Sequence, residues 1–248
     1  MRLSYSKLEA YETCPRMFYY TYVANQELQE EDSFYTQYGR FVHELIDKAN
    51  RGKIPYENLA KEYSDRYEKE ITTTLDSPLE DSYFFSGYDY FSKFTGVIPG
   101  AEIIESEKKY IMNVDGTEFS GVIDMVAKLP DGRTAIIDHK STASRYFRGK
   151  TAPSKYRQLY IYAEILKRKT GSYPDVLMFN CFREGVMPAQ DFDPARHAEV
   201  MAWTNNMIRQ INSDLESYSK SEGEWLAFPS FYWCKNICKH RIICPEVN

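Results

Sequence analysis

Two short apolar segments of the chain each contain one aspartate. Asp124 lies within residues 120–128, and Asp138 lies within residues 134–140, which end on Lys140. A carboxylate inside an otherwise buried strand is costly unless it is paired or coordinates an ion. Asp138 and Lys140 are two residues apart, so their side chains project from the same face of a strand. Two carboxylates and one ammonium in this pattern predict a divalent-metal site that acts on a phosphodiester.

The two segments are predicted to form adjacent antiparallel strands. The residues between them, Pro-Asp-Gly at 130–132, are a strong turn signal. A further strand is predicted at 102–114, because the Asp-Gly pair at 115–116 is a hairpin signal in front of the strand that carries Asp124. The three strands therefore form a meander that ends at Lys140.

Helical patterns surround this meander and predict the fold class. The other predicted elements are, in chain order, a helix at 36–50, a mostly helical region at 56–96 with breaks near Ser77 and Gly87, a helix at 154–169, a buried strand at 176–182 and a long helix from Asp193-Pro194 to about Tyr218. This order indicates an α/β fold, with helices flanking a mixed sheet. The chain is predicted to form one domain, with a mostly helical part at 1–100, a core at 101–190, and a helix and tail at 191–248.

The C-terminal tail holds three of the five cysteines, namely Cys234, Cys238 and Cys244. The prolines that flank the tail predict no regular helix through it. Clustered thiolates select zinc or an iron–sulfur cluster. From the spacing alone zinc comes first, with His240 as a fourth ligand.

The formal net charge of −5 counts against a nucleic-acid-binding protein. A phosphate nevertheless responds to the local field, and a basic stretch follows Lys140. Its residues are Arg145, Arg148, Lys150, Lys155 and Arg157. The stretch is interpreted either as a DNA-binding surface beside the predicted site or as a solvated loop, and the sequence leaves both open.

The start of the chain lacks the apolar region of a signal peptide, and no apolar run is long enough to span a membrane. We therefore expect a cytoplasmic protein without a membrane partner. Cysteines in that compartment are more often metal ligands than disulfides. The sequence also lacks the Gly-x-x-x-x-Gly-Lys-Ser/Thr motif of helicase motors, so a partner must supply any unwinding of DNA.

Ile123-Asp124, followed by Asp138-x-Lys140 after an Ile-Ile run, resembles the core motif of the PD-(D/E)xK nuclease superfamily. Other segments resemble its RecB-like branch, which includes CRISPR-associated iron–sulfur nucleases and phage recombination exonucleases. They are, in chain order, Leu-Ser-Tyr-Ser-Lys at 3–7 with Cys14-Pro-Arg16, Gly39-Arg-Phe-Val-His43, Gln158-Leu-Tyr-Ile-Tyr162 and the cysteine tail. The full set of motifs in this order is more specific to the branch than any single motif is. The sequence departs from the pattern in having three residues between the first two tail cysteines, where relatives more often have two, and Asp138 where the wider superfamily more often has Glu.

The resemblance implies a restriction-endonuclease-like core, with a helical insertion that forms an arch over the cleft in the family. It also implies Mg²⁺ or Mn²⁺ held by Asp124, Asp138, His43 and the backbone carbonyl of His139. Lys140 would orient the attacking water and stabilise negative charge in the transition state, and the product would carry a 5′-phosphate. These roles are expectations from the family and not from the spacing.

The same resemblance implies supporting roles for further residues. Gln158 would contact the site or DNA, and Tyr162 would support it. Arg157 and Arg16 are assigned to DNA binding or to support of the site. Glu107 resembles an acid near the metals of relatives, but a solvent-facing partner for a neighbouring lysine is an equal interpretation of its sequence position.

For the cysteines, the resemblance supplies Cys14 as the fourth ligand of a [4Fe–4S] cluster. This cluster would join the two ends of the chain around the nuclease core. A clip between positions so far apart in sequence would remove much chain entropy. Zn²⁺ remains the alternative metal for the site.

Together these observations predict a metal-dependent exonuclease that degrades linear DNA, single-stranded or with ends, in recombination, repair or phage DNA processing. The expected partners are a helicase or a recombination or annealing protein, in the host cytoplasm if a phage encodes the chain. The first alternative is a non-catalytic DNA-binding subunit of a recombination or CRISPR spacer-acquisition complex. A second is a zinc-stabilised binding protein with no nuclease activity.

Overall fold

The computed structural model describes residues 1–24, 32–149, 152–218 and 225–246. The chain divides into two compact units. The terminal unit contains Met1–Glu30, Ile111–Gly121 and Ala198–Asn248, and the central unit contains Glu31–Tyr110 and Val122–His197. The single domain expected over the whole chain stays a prediction.

A five-stranded sheet forms the framework, with its strands in the order β1-β2-β3-β4-β5. The strands are β1 Glu102–Val114, β2 Thr117–Lys128, β3 Thr134–His139, β4 Val176–Asn180 and β5 Ala189–Asp191. β2 and β3 are antiparallel, β3 and β4 are parallel, and β4 and β5 are antiparallel. The predicted α/β fold with a mixed sheet is therefore confirmed. The short edge strand β5 was not predicted, because three residues are too few to show an alternating pattern.

Two turns fix the meander of β1, β2 and β3, as predicted. Asp115 and Gly116 have φ angles of 51° and 80°, which is the left-handed pair that a tight two-residue hairpin requires. The backbone N–H of Gly132 donates to the carbonyl oxygen of Leu129 at 2.9 Å. The second turn therefore closes directly between the strands that carry Asp124 and Asp138.

The helices of the central unit are α3 Phe34–Asn50, α4 Leu59–Glu70, α5 Ser77–Ser92, α6 Ala152–Lys155 and α7 Arg157–Thr170. Buried aromatic and aliphatic side chains of α3, α4 and α5 share one apolar core with side chains of β2, β3 and β4. The predicted break at Gly87 is wrong, because α5 continues through it. A Cβ at this position would lie 2.6 Å from Cζ of Tyr63, so glycine permits close packing of α5 on α4.

The long helix α8 spans Pro194–Tyr218. Asp193 caps it as predicted, since Oδ1 accepts the backbone N–H of Ala195 at 2.8 Å. Helix α7 ends as predicted at Gly171, whose φ of 85° is left-handed. Within the described part of the chain, no helix has the length and apolar character of a membrane span.

The terminal unit begins with α1 Tyr5–Thr13, α2 Pro15–Phe18 and a π-helical turn at Tyr19–Val23. Trp225 is fully buried, and its ring packs 5.4 Å from that of Tyr19. The prediction of no helix in the cysteine tail is wrong, because α9 spans Phe231–Asn236. Pro229 precedes the first turn of α9, where a proline removes no helical hydrogen bond.

Candidate active site

Strand β3 brings Asp138 and Lys140 together. The ladder continues one residue past β3, because the backbone N–H of Lys140 donates to the carbonyl oxygen of Asn180 at 2.8 Å. The two side chains project from one face, and Nζ of Lys140 lies 2.6 Å from Oδ2 of Asp138. The Asp138 side chain is 3% exposed, so the ammonium supplies the partner that a buried carboxylate requires.

Helix α7 holds the other side of this ammonium. Nζ of Lys140 donates to Oε1 of Gln158 at 3.3 Å, and Nε2 of Gln158 donates to the Tyr162 hydroxyl at 2.8 Å. Gln158 and Tyr162 are four residues apart, so they share a helix face. Burial is the main cause that raises the pKa of Tyr162, so its phenol stays neutral. Asp138, Lys140, Gln158 and Tyr162 therefore form one chain of polar contacts.

Asp124 enters the site from β2. Its Oδ2 accepts the backbone N–H of His139 at 2.8 Å. Burial, with the nearby charge of Asp138, raises the pKa of Asp124 to about 7. Asp124 and Asp138 are neighbouring buried carboxylates, and two such groups need compensating positive charge if both are to be ionised. The arrangement therefore favours the binding of a cation.

His43 reaches the same carboxylates from α3. Its Nδ1 lies 3.3 Å from Oε1 of Glu107 and 3.5 Å from Oδ2 of Asp124. Its Nε2 lies 3.0 Å from the carbonyl oxygen of His139. Burial lowers the pKa of His43, but the Glu107 hydrogen bond and the charges of Asp124 and Asp138 outweigh it and raise the pKa to about 9.

Glu107 adopts an unusual backbone conformation within β1. Its φ of 46° lies in the left-handed region, which costs a residue with a side chain roughly 1–3 kcal/mol. This conformation accompanies the contact of its carboxylate with His43 at 3.3 Å. Strained residues of this kind are often found at functional sites. The interpretation of Glu107 as a residue near the site fits this geometry better than a solvent-facing lysine partner.

The ligand atoms suit a hard divalent cation. Within the described residues, one atom each of His43, Glu107 and Asp124 lie within 4.8 Å of one another. The 3.0 Å between Nε2 of His43 and the His139 carbonyl oxygen is also the separation of neighbouring ligands around an octahedral ion with bonds of about 2.1 Å. Carboxylate, carbonyl and imidazole donors are those that Mg²⁺ and Mn²⁺ accept. Asp138 lies outside this group of three and contacts Lys140.

Two residues of this site were not predicted from the sequence. Nδ2 of Asn180 donates to the Tyr90 hydroxyl at 2.9 Å and to Nδ1 of His139 at 3.1 Å. His139 therefore carries its proton on Nε2, and burial, with the charges of His43 and Lys140, lowers its pKa well below the usual value. This network holds the residue whose backbone contacts both Asp124 and His43. A polar amide in the apolar run of β4 was the signal that could have indicated Asn180.

The predicted cysteine ligands come together in the terminal unit. Cys14, Cys234, Cys238 and Cys244 line one cavity, and all four are free thiols. Burial raises the pKa of the Cys238 thiol, and the other three cysteines add to the shift. In the described part of the chain, no three of these sulfurs lie within 4.8 Å of one another.

His240 lines the same cavity but has another contact. It is 1% exposed, and its Nε2 lies 2.8 Å from the Thr21 hydroxyl. The Thr21 hydroxyl donates to the carbonyl oxygen of Met17 at 2.8 Å, so it accepts from His240. This hydrogen bond ties the tail to the π-helical turn.

The predicted arginines occupy different environments. Arg16 is buried in the terminal unit, where Nε donates to the Trp225 carbonyl oxygen at 3.0 Å and Nη1 pairs with Glu246 at 3.1 Å. Its direct contact with DNA stays a prediction. Arg157 is half-buried at the first residue of α7, next to Gln158. Arg145, Arg148 and Lys155 are exposed, whereas Lys150 lies outside the described residues.

The profile of the PD-(D/E)XK nuclease superfamily matches residues 2–245. The chain belongs to this superfamily. The family is one of nucleases, so this membership supports a nuclease, and the roles of the acids and the lysine at the end of β3 stay predictions.

The proteins similar to the chain include a helicase/nuclease subunit and a solved structure. An ATP-dependent helicase/deoxyribonuclease subunit of Streptococcus uberis is 24% identical to this chain over an alignment of 251 residues. The alignment covers 96% of this chain. The chain spans 23% of the length of that relative. A crystal structure of a candidate exonuclease from Eubacterium rectale superposes with a TM-score of 0.52, at 14% identity, and covers 87% of this chain and 82% of that one. The second likeness concerns the fold alone.

Proposed function

We propose that this nuclease is a divalent-metal-dependent deoxyribonuclease that degrades linear DNA from its ends. The observation that carries the proposal is the convergence of Asp124, Asp138 and Lys140 with His43 at the end of β3. The similarity to a helicase/deoxyribonuclease subunit supports DNA as the substrate. The resemblance to RecB-like exonucleases supports action from an end.

The proposed metal ligands are Asp124, Asp138, His43 and the carbonyl oxygen of His139, with Glu107 as an additional candidate. These residues fit Mg²⁺ or Mn²⁺, because the carboxylate of Asp124, whose pKa is raised by burial and by the charge of Asp138, gains from a bound cation. A divalent ion held there would supply Lewis-acid stabilisation of the phosphate and a nucleophile at neutral pH. The contact between Nε2 of His43 and the carbonyl oxygen of His139 holds α3 against the end of β3.

Lys140 is the group that acts on the phosphate. Asp138 and Gln158 hold its ammonium from two sides, so it is oriented before the substrate binds. An oriented cation stabilises negative charge that develops on the phosphate oxygens without reorganising in the reaction. Tyr162 and Gln158 keep that orientation, since each fixes the next group in the chain.

We propose a [4Fe–4S] cluster on Cys14, Cys234, Cys238 and Cys244. The four thiols line one cavity, which supports a shared metal centre, and the resemblance to the iron–sulfur nucleases favours a cluster that binds each thiolate to a different iron over a single zinc. Iron and acid-labile sulfide in anaerobically purified protein, lost in Cys14→Ser, would support the cluster, and stoichiometric zinc without iron would overturn it.

The biological setting is proposed from the relative. Its name joins a helicase to a deoxyribonuclease, whereas this sequence has no Walker motif. We propose that a helicase or a recombination or annealing protein supplies the unwound strand, in recombination, repair or phage DNA processing in the cytoplasm.

The experiment compares linear single- and double-stranded DNA, labelled at either end, with closed circular DNA. Each substrate is incubated with Mg²⁺, Mn²⁺ or EDTA. We expect metal-dependent degradation of linear DNA, with circular DNA left intact. DNA binding without cleavage under any metal would instead favour the non-catalytic DNA-binding subunit.

A further inference from the structure

A cationic side chain outside the site described above lies beside the end of β3. Arg183 follows β4, and its guanidinium carbon lies 3.4 Å from the centre of the Tyr83 ring on α5. Nε donates to the Ser86 hydroxyl at 3.4 Å, and Nη1 donates to the carbonyl oxygen of Ser141 at 3.4 Å. Ser141 directly follows Lys140 in the chain, so the guanidinium lies next to the proposed active site.

The charge of this guanidinium is not neutralised by an ion pair. Among the described residues, no carboxylate oxygen lies within 4.0 Å of its nitrogens. Arg66 and Arg133 of the same unit, by contrast, each pair with two or more acids. The two hydrogen bonds of Arg183 to Ser86 and Ser141 are long and use neutral acceptors, which leaves donors of a half-buried guanidinium for a stronger acceptor.

Arg183 also lines a cavity of about 220 Å³ with residues of α5. This space is large enough for a phosphate group. Two acids also line the cavity, and the pKa of one of them, Glu184, is lowered by its hydrogen bonds with Ser144, with a contribution from the charge of Arg183. Asp89 pairs with Lys93 at 2.6 Å, and Glu184 accepts the backbone N–H of Ser144 at 2.9 Å.

The stacking on Tyr83 explains why the guanidinium has one orientation. Tyr83 is 8% exposed in the apolar core, so its ring is a fixed surface. Arginine stacks on an aromatic face and still presents its edge for paired hydrogen bonds, whereas lysine cannot do both. An edge held in this way matches two oxygens of a phosphate.

We propose that Arg183 binds a phosphodiester group of the DNA strand, adjacent to the group that Lys140 contacts. This inference rests on the proposed function and assigns to its substrate a path between α5 and the end of β3. Phosphate contacts fix the register of a nucleic acid without reading its sequence. Arg183 would therefore position the strand for cleavage of any base sequence.

The test measures DNA binding without cleavage, by fluorescence anisotropy of a labelled oligonucleotide in EDTA at several salt concentrations. The variants are Arg183→Gln and Arg183→Lys, with Arg133→Gln as the matched control. Arg133 lies at the turn before β3, at the other end of that strand, and pairs with Asp131 of the turn and Asp191 of β5. Thermal unfolding of each variant establishes that it is folded.

We expect Arg183→Gln to reduce the slope of log K against log [salt] by about 0.7 for single-stranded and about 0.9 for duplex DNA, the effect of one lost phosphate contact. Arg183→Lys should keep the slope but bind more weakly, and Arg133→Gln should match the wild type. A wild-type slope in Arg183→Gln, or an unfolded Gln variant together with a Lys variant of full affinity, would overturn the proposal. A wild-type protein that neither binds nor degrades DNA would instead contradict the proposed function.

Discussion

Nε2 of His43 lies 3.0 Å from the backbone carbonyl oxygen of His139. This contact joins α3 to the end of β3, between Asp138 and Lys140. The two residues are 96 positions apart, so the relationship exists only in the folded central unit. It brings an imidazole, a carbonyl and the carboxylate of Asp124 to one place, which is the donor set on which the proposed metal site depends.

Replacing Lys140 with alanine should lower kcat about 100- to 1,000-fold, the effect of losing one oriented electrostatic stabiliser. Single-turnover degradation of end-labelled DNA measures the rate, and thermal unfolding monitors the fold. Lys128→Ala is the control, because this lysine is exposed at the end of β2. Normal turnover by Lys140→Ala would remove Lys140 from the chemistry.

Glu107 combines a left-handed backbone conformation with a carboxylate that is proposed as an additional metal ligand. Glu107→Gly and Glu107→Gln both remove the charge, but only glycine relieves the left-handed φ of 46°. We therefore expect the free energy of unfolding of Glu107→Gly to be about 1 kcal/mol higher than that of Glu107→Gln. Both variants should bind Mn²⁺ more weakly than the wild type. Urea unfolding and Mn²⁺ titration measure the two quantities. Equal stability of the two variants would show that the conformation is not strained.

Metal affinity should rise with pH. In the metal-free protein the pKa is about 7 for Asp124 and about 9 for His43, and a metal ion binds the deprotonated forms. As pH rises towards 9, fewer protons compete with the metal. Between about pH 6 and about pH 8 the Mn²⁺ affinity should therefore increase about tenfold per pH unit for each proton displaced. Calorimetry in buffers of different ionisation enthalpy measures the proton release, and pH-independent binding would exclude His43 as a ligand.

Gln158 can position Lys140 or contact DNA, and these roles have different kinetic effects. If Gln158 positions the ammonium through the 3.3 Å contact, Gln158→Leu should lower kcat about 10- to 150-fold and leave KM for DNA nearly unchanged, because one charged hydrogen bond contributes about 1.5–3 kcal/mol. Tyr162→Phe should have a smaller effect in the same direction. A rise in KM without a change in kcat would indicate a DNA contact instead.

The local part of this site could be predicted from the sequence. Asp138 and Lys140 share a face because strands alternate, and Gln158 and Tyr162 share a face because four residues complete about one helical turn. Both relationships depend on spacing alone. The turn at 130–132 likewise placed the strands of Asp124 and Asp138 side by side.

The remaining relationships depend on tertiary packing. The left-handed conformation of Glu107, the network of Asn180 and Tyr90 and the stacking of Arg183 on Tyr83 involve contacts between distant segments. Gly87 shows the same limit, since its role is to admit the Tyr63 ring and no local pattern contains that information. Propensity predicts a break at such a glycine, and packing overrides it.

The central claim is that the acids at the end of β3 hydrolyse DNA with a divalent metal. The most direct test is the single-turnover rate of Asp138→Asn on end-labelled linear DNA in Mg²⁺. Asp191→Asn is the matched control, because Asp191 is an exposed acid on β5. We predict a loss of about a thousandfold or more in Asp138→Asn, since the metal site supplies several kcal/mol, and a wild-type rate in the control. Undiminished, metal-dependent degradation by Asp138→Asn would contradict the account.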